Sequence, residues 1–398
     1  MSLPLDGIRI LDLSRLLPGA YASQMLADYG ADVIKIEEPG SGDYGRFMPP
    51  HGAGGMSLYF LAINRNKRSM TLNLKTDEGR AIFQRLVRQA DVVLESFRPG
   101  VMERLGLGYE QLKEINPRLV YCAISGYGQD GPYRLRAGHD LNYAGYAGLL
   151  NYNRGPRGEP AMPPTQLGDL AGGSFMAVIG IMTALLGRGQ SGEGCMVDVS
   201  MTEGVMSLLP LFTTAYFNTG EAPIPGRSSL DGGLPCYNIY ETQDGKHVTL
   251  AALEYKFWHT FCSRIGHLEL LPFHHPVGPG EREEAIGMLQ AIFKTKTRDE
   301  WMAELADIDA CVGPVYTLDE ALNDPQARAR GVSVSGSVPG EGDEETTFRT
   351  LPSYPRISGV DQEQRHSAPG MGEHTGALLR EAGYSDAEIE QFKAGGVV

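Results

Sequence analysis

Basic residues are in short supply in this 398-residue sequence, which carries 35 Lys and Arg against 49 Asp and Glu and has a formal net charge of −14. Nucleic acids and anionic membrane surfaces bind proteins that present an excess of Lys and Arg. We therefore expect no nucleic-acid partner and no membrane partner. An anionic small ligand has to be bound by local groups of basic residues.

Cysteine is also scarce, with five residues that are widely scattered and never form a C-x-x-C pair. That pattern favours neither a disulfide framework nor a zinc site, so we expect no metal. The first residues, "MSLPLDGIRILDLSR", lack the basic and apolar regions of a secretory signal. We expect a reducing, cytoplasmic location.

Several common catalytic and nucleotide-binding motifs are missing. The turn after the first predicted strand reads "SRLLPGA" and lacks the G-x-G-x-x-G that lets a backbone approach a pyrophosphate. No P-loop, H-E-x-x-H or G-x-S-x-G motif occurs either. Dinucleotide binding is therefore disfavoured, and so are the other functions that these motifs most often give to an α/β protein.

What the sequence does contain is an alternation of short strands and helices. The segments 7–13 and 31–37 are rich in β-branched residues, and between them a helix is predicted from Pro18 to Gly30. The alternation continues to residue 128, which indicates an α/β fold whose large domain is Rossmann-like, with a mainly parallel sheet.

Changes in composition divide the chain. The Gly- and Pro-rich segment 218–235 marks a linker, followed by a hairpin about Asp244 and Gly245. We predict a large domain from 1–215 and 330–398, a small α+β domain from 225–322, and linkers at 216–224 and 323–329. Helices are predicted over 170–188 and 199–217, and the uncharged segment 170–187 favours a buried core helix over a membrane span.

Basic residues cluster in three loops beside predicted strand ends. The clusters are "NRNKR" (64–68), Arg98, and Arg134 with Arg136. A single surface Lys or Arg is most often only solvated charge. Three clusters at the ends of strands in an open α/β sheet, where ligands bind, favour a polyphosphate ligand.

Two ionisable residues stand at the predicted starts of helices. His139 lies in "AGHDLNY" and Asp169 in "QLGDLAGG". Taken singly, His139 fits a core histidine, and Asp140 and Asp169 fit N-caps. Taken together, His139 and Asp169 are a pair that can perform acid and base catalysis.

Long segments resemble the family III CoA-transferases (the CaiB/BaiF family) and, among them, the α-methylacyl-CoA racemase branch. The matching stretches include "LLPGAYASQMLADYGADVIKIEEPGSGD", "ESFRPGVMERLGLGYE", "GHDLNY", "GDLAGG" and "DPQARARG". The resemblance implies an interlocked homodimer of two-domain chains that binds an acyl-CoA thioester. CoA is then part of the substrate, and no other cofactor is expected. The residues expected to contact CoA are Arg46, Asn66, Lys67, Arg68, Arg98, Gly138 and Tyr143.

The resemblance also suggests catalytic roles. Asp169 matches the aspartate that forms a covalent acyl intermediate in the transferases and serves as a base in the racemases. His139 matches the second base of the racemases, and Glu254 the glutamate that orients it. We add the backbone N–H of Asp140 as an oxyanion donor, because such groups are free at a helix N-terminus.

The preferred function is therefore 1,1-proton transfer at the α-carbon of a 2-methylacyl-CoA. The transferases typically carry a glycine-rich loop where this chain has "LAALEYKF", which favours the racemase. Two other functions stay open: a CoA-transferase that works through a covalent Asp169 intermediate, and a CoA-binding protein without catalytic activity.

Overall fold

Six short aliphatic strands form a parallel sheet in the computed structural model, which describes residues 3–155, 158–339, 345–360 and 365–398. The strand order is β3-β2-β1-β4-β5-β6, with every neighbouring pair parallel. The strands are β1 (Arg9–Asp12), β2 (Asp32–Glu37), β3 (Lys67–Thr71), β4 (Val92–Glu95), β5 (Val120–Ser125) and β6 (Met196–Ser200). Parallel strands require crossover connections, which helices supply here. The predicted α/β class is confirmed.

Helices cover both faces of this sheet, and two separate apolar clusters fill the space beneath them. Local signals set many helix ends: Thr76 accepts a hydrogen bond from the Gly79 N–H, and Ser385 from the Glu388 N–H. The helices of this part are Leu17–Asp28, Leu58–Ile63, Asp77–Val87, Val101–Arg104, Tyr109–Ile115, Asp140–Tyr146, Leu149–Tyr152, Met176–Ser191, Met201–Met206, Thr375–Glu381 and Asp386–Ala394, with 3-10 turns at Tyr44–Phe47 and Ala53–Gly55 and a π-helix at Gly168–Phe175.

The chain divides into two compact units. The first contains residues 1–149, 163–208 and 331–398, and the second contains 150–162 and 209–330. This division assigns 150–162 and 209–215 to the second unit. The domain and linker limits inferred from composition stay a prediction.

The second unit has its own antiparallel sheet and core. Its strands are β7 (Tyr237–Glu241), β8 (His247–Ala251) and β9 (Val312–Pro314), with β8 in the centre. Trp258, Phe261 and Phe293 are buried in its core. Its helices are Pro210–Thr219, Tyr255–Ile265, Glu281–Phe293, Arg298–Leu305, Leu318–Asn323 and Pro325–Ala329, with a 3-10 helix at Leu268–Phe273. The chain then returns to the first unit through an antiparallel hairpin of β10 (Val334–Pro339) and β11 (Glu345–Thr350).

Two of the predicted helices need correction. The segment 199–217 is not one helix: its first residues end β6, the helix Met201–Met206 follows, and a new helix begins at Pro210. Proline has no N–H to donate and is tolerated only in the first turn of a helix. The helical stretch Gly168–Ser191 is also not a buried core helix. Only 28% of its most apolar 18-residue segment is buried. By length and composition alone this stretch could also cross a membrane.

The strand order has a reversal point that locates ligands. The chain leaves β1 toward β2 on one side of the sheet and later enters β4 on the other side of β1. In open α/β sheets, the crevice outside the carboxyl ends of such strands is where ligands bind.

Candidate active site

A cleft of about 470 Å³ lies at this reversal point, within the first unit. Its walls come from the loops after β1, β4 and β5 and from the two segments that lead into Asp140–Tyr146 and Met176–Ser191. The lining includes Arg15, Leu16, Ser96, Phe97, Arg98, Gly126, Arg134, Arg136, Gly138, His139, Tyr143 and Asp169. Segments far apart in the sequence thus converge on one cavity.

The turn after β1 is shaped by close approaches. Leu16 has a φ of 60°, which is unusual for a residue with a side chain. Its backbone N–H donates to Asp43 Oδ1 at 3.1 Å, and the buried Asp43 carboxylate forms an ion pair of 2.7 Å with Lys35. A Cβ at Gly19 would lie 2.2 Å from the Ser14 Cβ, so this position requires glycine. Strained backbone of this kind occurs preferentially at functional sites.

Asp169 is the second residue of the π-helix Gly168–Phe175. It is therefore not the N-cap that its position in the sequence suggested. Its backbone N–H donates to Asp140 Oδ1 at 3.0 Å. Burial and, second, the nearby Asp140 carboxylate raise the pKa of Asp169 to about 7. Since both protonation states are populated near neutral pH, this carboxyl group is suited to proton transfer.

His139 lies on the cleft wall as the N-cap residue of the helix Asp140–Tyr146. Its side chain is exposed and forms one half of a capping box, in which it accepts from the backbone N–H of Asn142. The backbone N–H of His139 donates to Asn142 Oδ1 at 3.1 Å. The N–H of Asp140 has no acceptor within the described ranges, as expected for the first turn of a helix. This places the exposed imidazole beside a free backbone donor.

Tyr143 and Gly138 form one side of the cleft. The Tyr143 hydroxyl donates to the Gly138 carbonyl at 2.5 Å, and a Cβ at Gly138 would lie 2.7 Å from Tyr143 Cε1. Burial and, second, the charge of Asp169 raise the pKa of Tyr143 to about 12, which keeps the hydroxyl protonated. Arg98 and Arg134 also line the cleft, and neither guanidinium has an ion-pair partner in the described part of the chain. They are available to an anionic ligand.

A second cavity, of about 300 Å³, adjoins the cleft, and Arg15 and Phe97 line both. Its walls are mainly apolar, from Leu13, Ile36, Leu72 and other side chains. Lys75 and Arg104 add positive charge, although Lys75 is paired with Glu38 at 2.6 Å. Arg104 has no ion pair with any described residue. Glu37 and Glu38 also line this cavity, and Glu38 pairs with both Arg15 and Lys75.

Four residues predicted to contact CoA lie elsewhere, and their side chains bind internal partners. Asn66 Nδ2 donates to Asp28 Oδ1 at 2.7 Å, and Lys67 is fully buried beside Asp12. Burial lowers the pKa of Lys67 to about 7.

The other two are paired at the protein surface or just below it. Arg68 pairs with Asp32 at 2.7 Å and with Glu381 at 2.6 Å. Arg46 pairs with Glu37 at 2.6 Å, and its guanidinium lies 3.9 Å from the centre of the Phe60 ring. Among the described residues, none of the four lines the cleft. A charge already neutralised inside the protein gives little to a ligand. The predicted CoA contacts of these four residues stay a prediction.

Glu254 belongs to the second unit. It is exposed and is the N-cap residue of the helix Tyr255–Ile265, without a side-chain capping bond. Its predicted role beside His139 stays a prediction.

Sequence reasoning missed a buried glutamate beneath the cleft. Glu95 is only 5% exposed, and its Oε2 accepts a hydrogen bond of 2.6 Å from the Phe97 N–H. Burial raises its pKa to about 8. Glu95 thereby fixes the loop that carries Arg98. No local sequence signal identifies it, since its environment depends entirely on burial.

Comparison with known proteins agrees with this geometry. The model of the family described as CoA-transferase family III matches residues 5–375. The chain is 35% identical to the human α-methylacyl-CoA racemase over 99% of this chain and 97% of that protein. It is 36% identical to the acetyl-CoA:oxalate CoA-transferase of Acetobacter aceti, over 97% of each. A CaiB/BaiF family crystal structure from Brucella suis superposes with a TM-score of 0.80 and 32% identity, covering 96% of this chain and all of that one.

Proposed function

The chain belongs to CoA-transferase family III, and we propose that it is an α-methylacyl-CoA racemase-like enzyme. The proposed reaction is 1,1-proton transfer at the α-carbon of a 2-methylacyl-CoA thioester, through an enolate. One observation carries the proposal: His139 and Asp169 line the same cleft, and neither is neutralised by an ion pair with a described residue.

The two side chains supply the acid and the base. A thioester acidifies its α-proton, but removing that proton still requires a positioned base and a proton donor. General acid or base catalysis of this kind contributes about 10² to 10⁴ in rate. An Asp169 with a pKa of about 7 can serve in either role near neutral pH. We propose that Glu254 orients the His139 ring.

The free backbone N–H of Asp140 is the proposed oxyanion donor. It lies at the start of the helix Asp140–Tyr146, where the helix dipole favours negative charge. The Asp140 carboxylate is held by the Asp169 N–H at 3.0 Å. One residue therefore links the donor to the base. Removing one oxyanion donor in an enzyme typically costs about 10² to 10³ in rate.

The CoA moiety is proposed to extend from the cleft into the second cavity. Arg15 and Phe97 are common to both, so the ligand passes between them. Arg98, Arg104 and Arg134 would contact its phosphates and carbonyls, since arginine forks match phosphate oxygens. We propose that Gly138 and Tyr143, which line the cleft, contact the thioester end of the CoA moiety.

We also propose that the protein is a homodimer. Large apolar side chains remain exposed on the helical stretch Gly168–Ser191, among them Phe175 at 44%, Ile179 at 57% and Leu186 at 72%. In the second unit, Leu211 and Phe217 are exposed by 67% and 78%. Exposed large apolar side chains of this kind mark protein interfaces. A second copy of the chain would bury it.

A CoA-transferase is the second candidate, because relatives with that activity are as similar as the racemases. In that reaction the Asp169 carboxylate would attack the thioester carbonyl, release CoA thiolate and form a mixed anhydride. The pKa of about 7 leaves much of Asp169 ionised for such an attack at pH 8.

One experiment separates the candidates. The racemase should exchange the α-proton of a single-enantiomer 2-methylacyl-CoA with deuterated water and racemise it, with no carboxylic acid added. Mass spectrometry and chiral analysis of the released acid measure both. A transferase instead moves CoA to an added carboxylate and yields a hydroxamate with hydroxylamine. If neither reaction occurs while CoA still binds, the protein is a non-catalytic CoA-binding protein.

A further inference from the structure

A cysteine and two histidines meet in the second unit, outside the cleft. Potential ligand atoms of Cys236, His274 and His275 all lie within 4.8 Å of one another. Cys236 is buried, His274 is half-buried, and His275 is exposed. The group therefore extends from the core of the unit to its surface.

The backbone holds two of these residues in place. The Ala252 N–H donates to the Cys236 carbonyl at 2.8 Å, and the Ala252 carbonyl lies 3.0 Å from His274 Nε2. With Nε2 donating to this carbonyl, His274 Nδ1 is left as the unprotonated nitrogen. A ligating histidine usually donates its other N–H to a carbonyl or carboxylate in this way.

Packing restrains the His274 ring further. The ring stacks on the buried Trp258 at 5.8 Å between centroids, with 24° between the planes, and it meets the His275 ring edge-on at 4.3 Å. The Cys236 thiol faces the same place and donates to the His274 carbonyl at 3.3 Å. The three side chains are thus pre-positioned, with small rotations left to bring them to metal-bond length.

We propose that Cys236, His274 and His275 bind a zinc-class divalent cation. One thiolate and two imidazoles are the soft and intermediate ligands that zinc prefers, and they supply three corners of a tetrahedron. The exposed side of His275 leaves the fourth corner to water. Binding replaces the Cys236 thiol proton, which is released to solvent.

A cation at this site would cross-link two segments of the second unit that are far apart in the sequence. Cys236 immediately precedes β7, whereas His274 and His275 follow the 3-10 helix Leu268–Phe273. A cation that binds only the folded state stabilises it by mass action. The site does not depend on the proposed racemase reaction.

The spacing of Cys236, His274 and His275 differs from the C-x-x-C patterns that identify zinc sites in a sequence. For this reason, no metal was expected from the cysteine pattern.

The test uses cobalt(II) as a spectroscopic probe of the purified, metal-stripped full chain. One equivalent should produce a thiolate-to-cobalt charge-transfer band and the visible bands of a tetrahedral site, and zinc should displace it. His275→Asn should weaken cobalt binding by roughly tenfold or more, since even outer-sphere changes cost that much. His247→Asn, at an exposed histidine of the same unit outside the group, is the matched control and should bind as the wild type does.

A second variant and a second readout complete the design. Cys236→Ser should abolish the thiolate band, and zinc should raise the melting temperature of the wild type but not of His275→Asn. The proposal is overturned if the wild type shows no thiolate band at one equivalent, or if His275→Asn and wild type give the same titration. Because His275 is exposed, its variant keeps the test informative even if Cys236→Ser fails to fold.

Discussion

Two groups of basic residues at the strand ends of the first unit look alike in sequence but differ in the structure. Arg65, just before β3, and Lys67, the first residue of β3, are at most 2% exposed and are paired with Asp28 and Asp12. Arg98 lies across the reversal point, lines the cleft and has no described ion-pair partner. The first group stabilises the fold, whereas the second is available to a ligand.

The difference shows that a basic side chain stabilises the fold or binds a ligand according to whether it has an internal carboxylate partner. Desolvating a charge is costly, and a carboxylate held at hydrogen-bond distance offsets that cost. The exposed Arg98 guanidinium is solvated by water instead, so it stays available to an external anion. Four experiments test this contrast, and the one with the largest expected effect comes first.

Changing the proton-transfer groups should have the largest effect. Asp169→Asn and His139→Ala should each lower the rate of α-proton exchange by about 10² to 10⁴, because each removes one acid or base. Isotope exchange followed by mass spectrometry provides the measurement. The exposed residues Asp130 and His51 supply matched controls, Asp130→Asn and His51→Ala. If Asp169→Asn exchanged the α-proton at the wild-type rate, Asp169 would have no part in proton transfer.

Removing a charge from the buried group, Arg65 and Lys67, should lower the stability of the fold. Arg65 donates to both carboxylate oxygens of Asp28, at 3.1 and 2.5 Å. Arg65→Met leaves Asp28 short of its main partner and should lower the free energy of unfolding by about 3 to 5 kcal/mol. Thermal and urea unfolding measure this loss. Affinity for CoA, measured well below the melting temperature, should stay near that of the wild type; a selective loss of CoA binding would contradict the contrast.

Arg98 of the cleft and Arg104 of the second cavity should show the reverse, a loss of CoA affinity with little loss of stability. Arg98→Met and Arg104→Met should each weaken CoA binding by about tenfold, or about 1.4 kcal/mol, because a charge-assisted hydrogen bond is lost. Stability should change by no more than about 0.5 kcal/mol. Isothermal titration calorimetry measures the affinity, and Arg88→Met, at an exposed position outside both cavities, is the control. Unchanged affinity in both variants would place the CoA elsewhere.

The smallest effect concerns pH. The pKa of Asp169 rises from 3.8 in the unfolded chain to about 7 in the fold, so the folded state retains a proton that the unfolded state has lost. Stability should therefore fall as pH rises from about 4 to 7, and no further above that range. Asp169→Asn avoids this cost, so relative to the wild type it should be more stable at pH 8 than it is near pH 4. Melting temperatures across this range provide the measurement; a constant difference would refute the raised pKa.

Local sequence patterns predicted the helices and strands better than they predicted which of these elements are buried. The β-α-β start and the hairpin at Gly245 follow from periodicity, caps and turn residues, which act within a few positions of the chain. The break at Pro210 was missed although its proline is a local signal. The exposure of Gly168–Ser191 could not be predicted, because burial depends on which distant segments pack against a helix.

For the candidate active site, too, the sequence predicted the residues but not the contacts between them. The motifs "GHDLNY" and "GDLAGG" identify His139, Asp140 and Asp169 as candidates, but the Asp140 to Asp169 hydrogen bond and the raised pKa arise only when the two segments meet. The likeness of one basic cluster to another hid the internal pairing of Lys67.

By itself, the sequence determined the α/β class, the family and the chemical types available at the cleft. The tertiary structure decided which of those groups are neutralised and which remain free, and it brought Cys236 next to two histidines. The physical reason is range. Helix caps and strand periodicity act between neighbours in the chain, whereas desolvation and ion pairing depend on contacts that only folding creates.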